Sequence, residues 1–348
     1  MTWRSLTGAA RASLLAAALA TPGLPCAVAQ TRPSAPLGDL DPVTVTATRV
    51  EQPNFDVPAT VDTLDTDAIR AGKPGVNLSE SLGRVPGVNV QNRQNHAQDL
   101  QVSSRGFGAR AAFGVRGVRL VQDGVPLTMP DGQGQTGLFD LDAAERVEVL
   151  RGPFAALYGN SSGGLITLFT EDPPRRPTWR TTANAGSHGS WKLGAGYGDT
   201  IGTLGLRADA SRFATDGYRE HSRTRRDILG ARLVWSTSSD DALALNATLL
   251  DQPDTQDPLG LTRQQLDQDP SQAGTGATAF DTRKSIDHRQ VGLSWRRRLD
   301  ASDTLSARGY LGDRRVRQFL AFSGTAPTSS GGVVDLDRGF GGANLQWS

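Results

Sequence analysis

Beyond Pro173-Pro174 the chain is written in period two. Trp191, Leu193, Ala195 and Tyr197 fall on one face of an extended segment, and Lys192 and three glycines on the other. Leu204, Leu206, Ala208 and Ala210 alternate with Gly205, Arg207, Asp209 and Ser211. The same pattern recurs at Leu229-Ala231-Leu233-Trp235, Leu243-Leu245-Ala247-Leu249, Val291-Leu293-Trp295, Leu305-Ala307-Gly309-Leu311 and Gly341-Ala343-Leu345-Trp347. With a first strand near Trp179 to Gly186, about eight strands follow, each with one apolar and one polar face, because successive side chains of a strand point to opposite sides.

A soluble β-sandwich alternates in the same way. Strand length and connections favour a wall between lipid and lumen. Several runs reach the ~9 to 11 residues that a tilted membrane strand needs, and aromatics sit near strand ends. Thr237 to Asp241 is a tight turn, whereas Gln252 to Lys284 is a long polar loop. Short turns on one side and long loops on the other are the outer-membrane arrangement, which places Gln252 to Lys284 outside the cell. Its acidic residues Asp251, Asp254, Asp257, Asp267 and Asp269 have no fixed ligand spacing and read as solvated loop.

The first half has a different texture. In Glu145-Arg146-Val147-Glu148-Val149-Leu150-Arg151-Gly152-Pro153, the residues Val147 and Val149 share a face of a short strand. Pro153 ends the ladder because it has no amide to pair. A glycine run leads into a second apolar strand, Leu165 to Phe169. This is α+β packing with backbones approaching closely at glycine.

Arg4 and Arg11 precede an apolar run from Leu14 to Ala20, and Ala27-Val28-Ala29 is a small-x-small cleavage site, together a secretory signal peptide. The run is shorter than the ~20 residues of a spanning helix. Cys26, the single cysteine, lies upstream of the cleavage site, so no disulfide or thiolate metal site is expected in the mature chain.

With 37 basic against 36 acidic side chains, interleaved, there is no field to attract nucleic acid. The four histidines, at 96, 188, 221 and 288, have no ligand spacing, and no nucleophile elbow or phosphate loop is present. Asp240-Asp241 reads as a polar turn. Nothing points to an enzyme, a cofactor or a resident metal.

Four segments in order resemble the plug domain of TonB-dependent outer-membrane receptors. They are Ser79-Glu80-Ser81-Leu82 with Val85-Pro86-Gly87-Val88, then Arg105-Gly106-Phe107, then Val121-Gln122-Asp123-Gly124-Val125-Pro126, and the Glu145 segment with Tyr158-Gly159 and Gly163-Gly164-Leu165-Ile166. The resemblance implies an antiparallel membrane β-barrel, apparently truncated, with an N-terminal α+β plug. It also implies a division into signal peptide (1–29), flexible segment (30–50), plug (51–173) and the first part of a barrel (174–348).

Within the flexible segment Asp41-Pro42-Val43-Thr44-Val45-Thr46-Ala47 is similar to the family's TonB box, with Pro42 departing from the commoner threonine or serine. An extended β-branched peptide of this kind can add as a strand to a partner sheet. The resemblance names the partner, the periplasmic domain of TonB. The short lead before the box leaves no room for a signalling domain.

The resemblance further implies that Arg105, Glu148 and Arg151 contact the barrel, the arginines pairing with wall glutamates, although no glutamate follows Glu220. Loops 92–98, 108–113 and 129–135 are implied to face the ligand, with Arg93, Asn95, His96, Arg110, Met129, Asp131 and Gln133 as contacts. Arg93 and Arg110 suit an anionic chelate.

The expected function is TonB-dependent import of a ferric chelate, a siderophore or ferric citrate, by a monomer in the outer membrane. Cobalamin, haem and carbohydrate receptors share the motifs. Barrels that hold a plug have about 22 strands, so the chain is expected to be a fragment, a truncated product or part of a split receptor. A non-transporting module that only binds TonB or ligand is the alternative.

Overall fold

The computed structural model describes residues 44–45, 52–53, 57–111, 114–152, 158–159, 161–322, 324–325 and 332–348. The expected signal peptide lies outside them, as do Asp41, Pro42, Val43, Thr46 and Ala47. The first described strand, β1 (Thr44–Val45), pairs antiparallel with β2 (Gln52–Pro53).

An α+β domain follows, made of β3 (Thr60–Asp65), α1 (Thr66–Arg70), α2 (Ser79–Leu82), β4 (Val88–Gln91), β5 (Gln101–Ser104), β6 (Val118–Gln122), β7 (Val125–Pro126), a 3-10 turn (Thr136–Leu138), β8 (Ala144–Arg151) and β9 (Gly164–Thr170). Its main sheet has the order β3-β8-β9-β6-β7 and is antiparallel except for β6 with β9. Val147, Val149, Ile166 and Leu168 pack on one face with Leu82, Leu120 and Leu138, while Leu150, Leu165 and Val61 pack on the other. Burial of both faces explains why β8 and β9 carry near-continuous apolar runs.

The short helices depend on side-chain acceptors. Asp65 accepts from the Ala68 amide at 2.7 Å. Glu80 gathers the amides of Gly75, Val76 and Asn77 at 2.7 to 2.9 Å, fixing the turn before α2.

The second half is an antiparallel meander in strict chain order. Its strands are β10 (Thr178–Ala185), β11 (Trp191–Ile201), β12 (Leu204–Thr215), β13 (Thr224–Ser236), β14 (Asp241–Gln256), β15 (Arg283–Arg298), β16 (Thr304–Phe319) and β17 (Val333–Trp347). Each of the eight alternating runs is a strand, and the sheet stays open between β10 and β17. Residues 202–203, 237–240 and 299–303 are short turns at one end. The long connection 257–282, with α3 (Arg263–Gln268) and α4 (Thr275–Ala279), lies at the other.

The sheet reverses the partition of a soluble protein. Leu193, Leu229, Leu293, Leu311 and Leu345 are exposed on the outer face, whereas Lys192, Arg207, Thr248, Gln290 and Arg314 are buried against the α+β domain. A wall that presents leucine outward and cations inward suits lipid outside and a polar lumen inside. At the short-turn end, Trp295 Nε1 donates to Asp241 at 2.6 Å and Trp347 Nε1 to Asp303 at 2.8 Å. Each indole thus keeps an apolar body and a wetted tip, the behaviour of a membrane-interface belt.

The solvated-loop reading is corrected at three of its acids, since Asp251 and Asp254 lie on β14, where Asp251 pairs with Arg225 at 3.2 Å, and Asp257 is held inside. Asp257 is buried, accepting from Asn95 Nδ2 at 2.7 Å, from Gln98 Nε2 and from the Leu259 amide at 3.0 Å. It pins the loop onto the inner domain. A buried carboxylate with three donors is stable in this position.

Candidate functional site: the seam and the cleft above it

The α+β domain meets the wall through a seam with a consistent polarity. Carboxylates of the inner domain face cations of the wall. Asp142 pairs with Lys192 at 2.7 Å, Asp99 with Lys284 at 3.0 Å, Asp131 with Arg338 at 3.0 Å and Asp172 with Arg232 at 3.0 Å. Glu171 is shared by Arg70 of α1 at 2.7 Å and by Arg180 and Arg207 of the wall at 2.9 and 2.5 Å. Asp209 is the inward carboxylate of β12, and it is taken by its neighbour Arg207 at 2.8 Å.

Wall side chains also reach main-chain oxygens. Arg314 donates to Leu127 O at 3.0 Å, Gln290 to Pro126 O at 3.1 Å and Gln252 to His96 O at 3.1 Å. Close approach is allowed by wall glycines. A Cβ on Gly292 would lie 3.5 Å from Val125 Cβ, and one on Gly230 would lie 2.8 Å from an Asp140 carboxylate oxygen. A contact of this kind can part at modest cost, because water replaces the partners of charged and polar groups that separate.

Two carboxyls in the inner domain are held towards their neutral form. Burial pushes up Asp123, although Arg232 and the Thr170 amide and hydroxyl oppose it. Burial, with Asp142 and Asp209 close by, raises Asp140 to about 7.

The sequence-derived contacts are distributed unevenly. Arg151 donates to Asp62 and to Pro86 O, inside the α+β domain. Glu148 is buried and pairs with Arg146 at 3.0 Å. Arg105 is exposed, with its amide donating to Gly87 O at 3.1 Å. Among the described residues, Arg105 and Arg151 are not seen paired with a carboxylate of the wall. Acids stand on the domain and bases on the wall, so Arg151 finds its carboxylate at home.

Among the implied ligand contacts, Arg93 and Arg110 are exposed and Asn95 is committed to Asp257. Met129 is buried under the turn that its backbone closes with Gln133, and it offers no surface to a ligand. Asp131 and Gln133 are engaged by Arg338. His96 packs on Phe213 with ring centroids 5.1 Å apart, and burial, reinforced by Arg226, lowers its pKa to about 4, so it is neutral at physiological pH.

A cleft opens here between the inner domain and the wall, lined by His96, Asp99 and Gln135 on one side and Arg226, Leu250 and Gln252 on the other. Arg226 was not singled out by sequence. The usable signal is its place on the inward row of β13.

Residues 53–165 match the family model described as the TonB-dependent receptor plug domain. The chain carries a TonB-dependent receptor plug. Its outer-membrane location follows from the plug together with the lipid-facing wall.

The chain is similar to a vitamin B12 transporter of Photobacterium profundum, 32% identical over 198 residues, covering 56% of this chain and 30% of the relative. It is also similar to the ferrienterobactin receptor of Escherichia coli, 30% identical over 180 residues, covering 47% and 21%. Among solved structures, the unliganded ferric citrate transporter superposes with a TM-score of 0.64 at 22% identity, over 78% of this chain and 42% of that one. The ferripyoverdine receptor of Pseudomonas aeruginosa gives 0.62 at 16%, over 85% and 40%. These two show the fold. The chain spans less than a third of the length of the curated relatives it matches.

Proposed function

We propose that this chain supplies the plug and leading barrel wall of an energised importer of an anionic ferric chelate. The observation that carries this reading is the seam. An acidic plug is seated in a basic, lipid-bounded wall through polar contacts that can part, and the wall cations remain lining a path for an anion. Energy enters through 41–47, the segment similar to a TonB box, of which Thr44 and Val45 form the described strand β1. Pulling on a strand paired to a partner sheet loads the chain along its main-chain hydrogen bonds.

Proline at Val45 removes the amide that such a pairing requires. In cells expressing the full-length receptor, Val45→Pro is expected to reduce energised iron uptake at least tenfold and to leave chelate binding at the surface unchanged. Continued uptake at the wild-type rate would refute the reading.

Cobalamin is the second reading, favoured by the likeness to vitamin B12 transporters. Competition between ferric citrate and cyanocobalamin for the full-length receptor separates the two, since the cationic lumen favours the anion. Chelate binding without energised uptake in the unmutated receptor would fit the non-transporting alternative.

A further inference from the structure

The plug grips the long connection 257–282 at a strained point. Asp257, the first residue after β14, is 3% exposed and accepts from Asn95 Nδ2 at 2.7 Å and from Gln98 Nε2, both on the plug loop 92–99. The oxygen that takes Asn95, Oδ1, also takes the Leu259 amide at 3.0 Å. Leu259 stands at φ +57°, a left-handed conformation that a leucine keeps only where its surroundings impose it. Its carbonyl is held in turn by Arg219, on the neighbouring connection 216–223.

Apolar burial does little to fix this connection. Helix α3 has no buried residue and α4 buries Ala277, while Leu266 and Phe280 are exposed. Segments of this kind belong to the low-stability end of a fold, where polar ties decide the position. At the stem the Asp257 amide donates to Thr282 O at 2.9 Å, and Thr282 Oγ1 donates to Asp257 O at 2.7 Å. From the side, Arg219 donates to Gln272 O at 3.0 Å and the Glu220 amide to Ser271 O at 2.8 Å. The bonds from Asn95 and Gln98 end on a carboxylate, which makes them the stronger kind. The loop that supplies them is seated on the wall through Asp99 with Lys284 at 3.0 Å, Gln252 with His96 O at 3.1 Å and the His96 ring on Phe213.

We propose that Asp257 is a latch through which the plug governs the long connection. While 92–99 is seated, Asn95 and Gln98 hold the Asp257 carboxylate where it pins Leu259 in its strained turn. When that segment leaves the wall, the carboxylate turns to water, Leu259 relaxes and the connection is released. This end of the wall therefore loosens in step with the plug. The latch rests on the importer reading only for what moves the plug, and it is tested without transport.

The test is hydrogen exchange on the purified full-length receptor in detergent, read by mass spectrometry on peptides covering 259–282, with β13 as the folded reference. The variant Asn95→Asp is almost isosteric and retains the oxygen that accepts from the Ala97 amide at 3.0 Å, but it sets a like charge against Asp257 in place of a donor. Although the substitution lies in the plug, exchange in 259–282 is expected to rise tenfold or more. Protection should return in part in Asn95→Asp/Asp257→Asn, where the two charges no longer meet. If Asn95→Asp does not fold, Gln98→Glu makes the same change from the adjacent donor and decides alone. A rise below twofold would show that the wall and the neighbouring connection hold this segment without the plug, and overturns the proposal. A rise that the double variant does not reduce places the effect outside this contact and overturns it as well. Arrest of uptake in Val45→Pro alongside failure here would leave an importer whose long connection moves independently of its plug.

Discussion

Replacing Asp99 with alanine is expected to destabilise the seated plug by about 3–5 kcal/mol, the usual cost of removing one partner of a buried ion pair. Lys284 is 4% exposed, and its salt bridge to Asp99 at 3.0 Å spans plug and wall. Without the carboxylate, the ammonium is left in the seam with no counter-charge. Removing both charges in Asp99→Leu/Lys284→Met should recover most of the loss, because no unpaired ion remains. The check is a double-mutant cycle on the full-length receptor, read by the rate of protease cleavage within the plug. Additive losses in the double variant would show that the pair does not hold the plug.

The second large effect is a pH dependence centred on Asp140. Its carboxyl is raised to about 7, firstly by burial and then by Asp142 and Asp209, with Lys192 opposing. In the folded plug it therefore keeps its proton well above the ~3.9 of an unfolded aspartate. Below about pH 4 it is neutral in both states and contributes no pH slope. Between about 4 and 7 the unfolded form ionises and the folded form resists, so the stability of the plug declines as pH rises. Above about 7 the loss is complete, at most about 4 kcal/mol for a shift of this size. Asp140→Asn should flatten that part of the stability–pH curve, measured by chemical denaturation of the receptor from pH 4 to 8. Asp123 is shifted in the same direction and stays in both proteins, so its contribution cancels in the difference between wild type and variant. An unchanged slope would show that Asp140 is not the titrating group.

Much of this architecture was legible in the residues. Period-two runs such as Leu229-Ala231-Leu233-Trp235 carry strand and face together, so the eight wall strands and their outward leucines could be read directly, while the long loop expected at 252–284 is shorter because β14 runs to Gln256 and β15 starts at Arg283. The plug motifs were equally clear, because close approaches such as Gly164 against Leu150 O, where a Cβ would sit 2.4 Å away, admit only glycine.

The polarity of the seam was not legible. Which of two facing surfaces bears acid and which bears base depends on the register of separate elements, as with Asp99 and Lys284, 185 residues apart. The carboxylate that Arg151 takes, Asp62, stands 89 residues earlier in the neighbouring strand, a pairing that sequence spacing does not reveal. Arg93 and Arg110 were expected as anion contacts because a guanidinium suits the carboxylates of a chelate, and both are exposed.

The central claim is that the plug must part from the wall at this seam for import to occur. Val125 and Gly292 offer the direct test, since a Cβ at 292 would lie 3.5 Å from Val125 Cβ, within the range a disulfide spans. In a full-length receptor carrying Val125→Cys and Gly292→Cys, ferric chelate uptake is measured with the bridge oxidised and then reduced. The account predicts that the oxidised receptor binds chelate but imports none, and that reduction restores uptake. Import at an undiminished rate through the bridged receptor would contradict it.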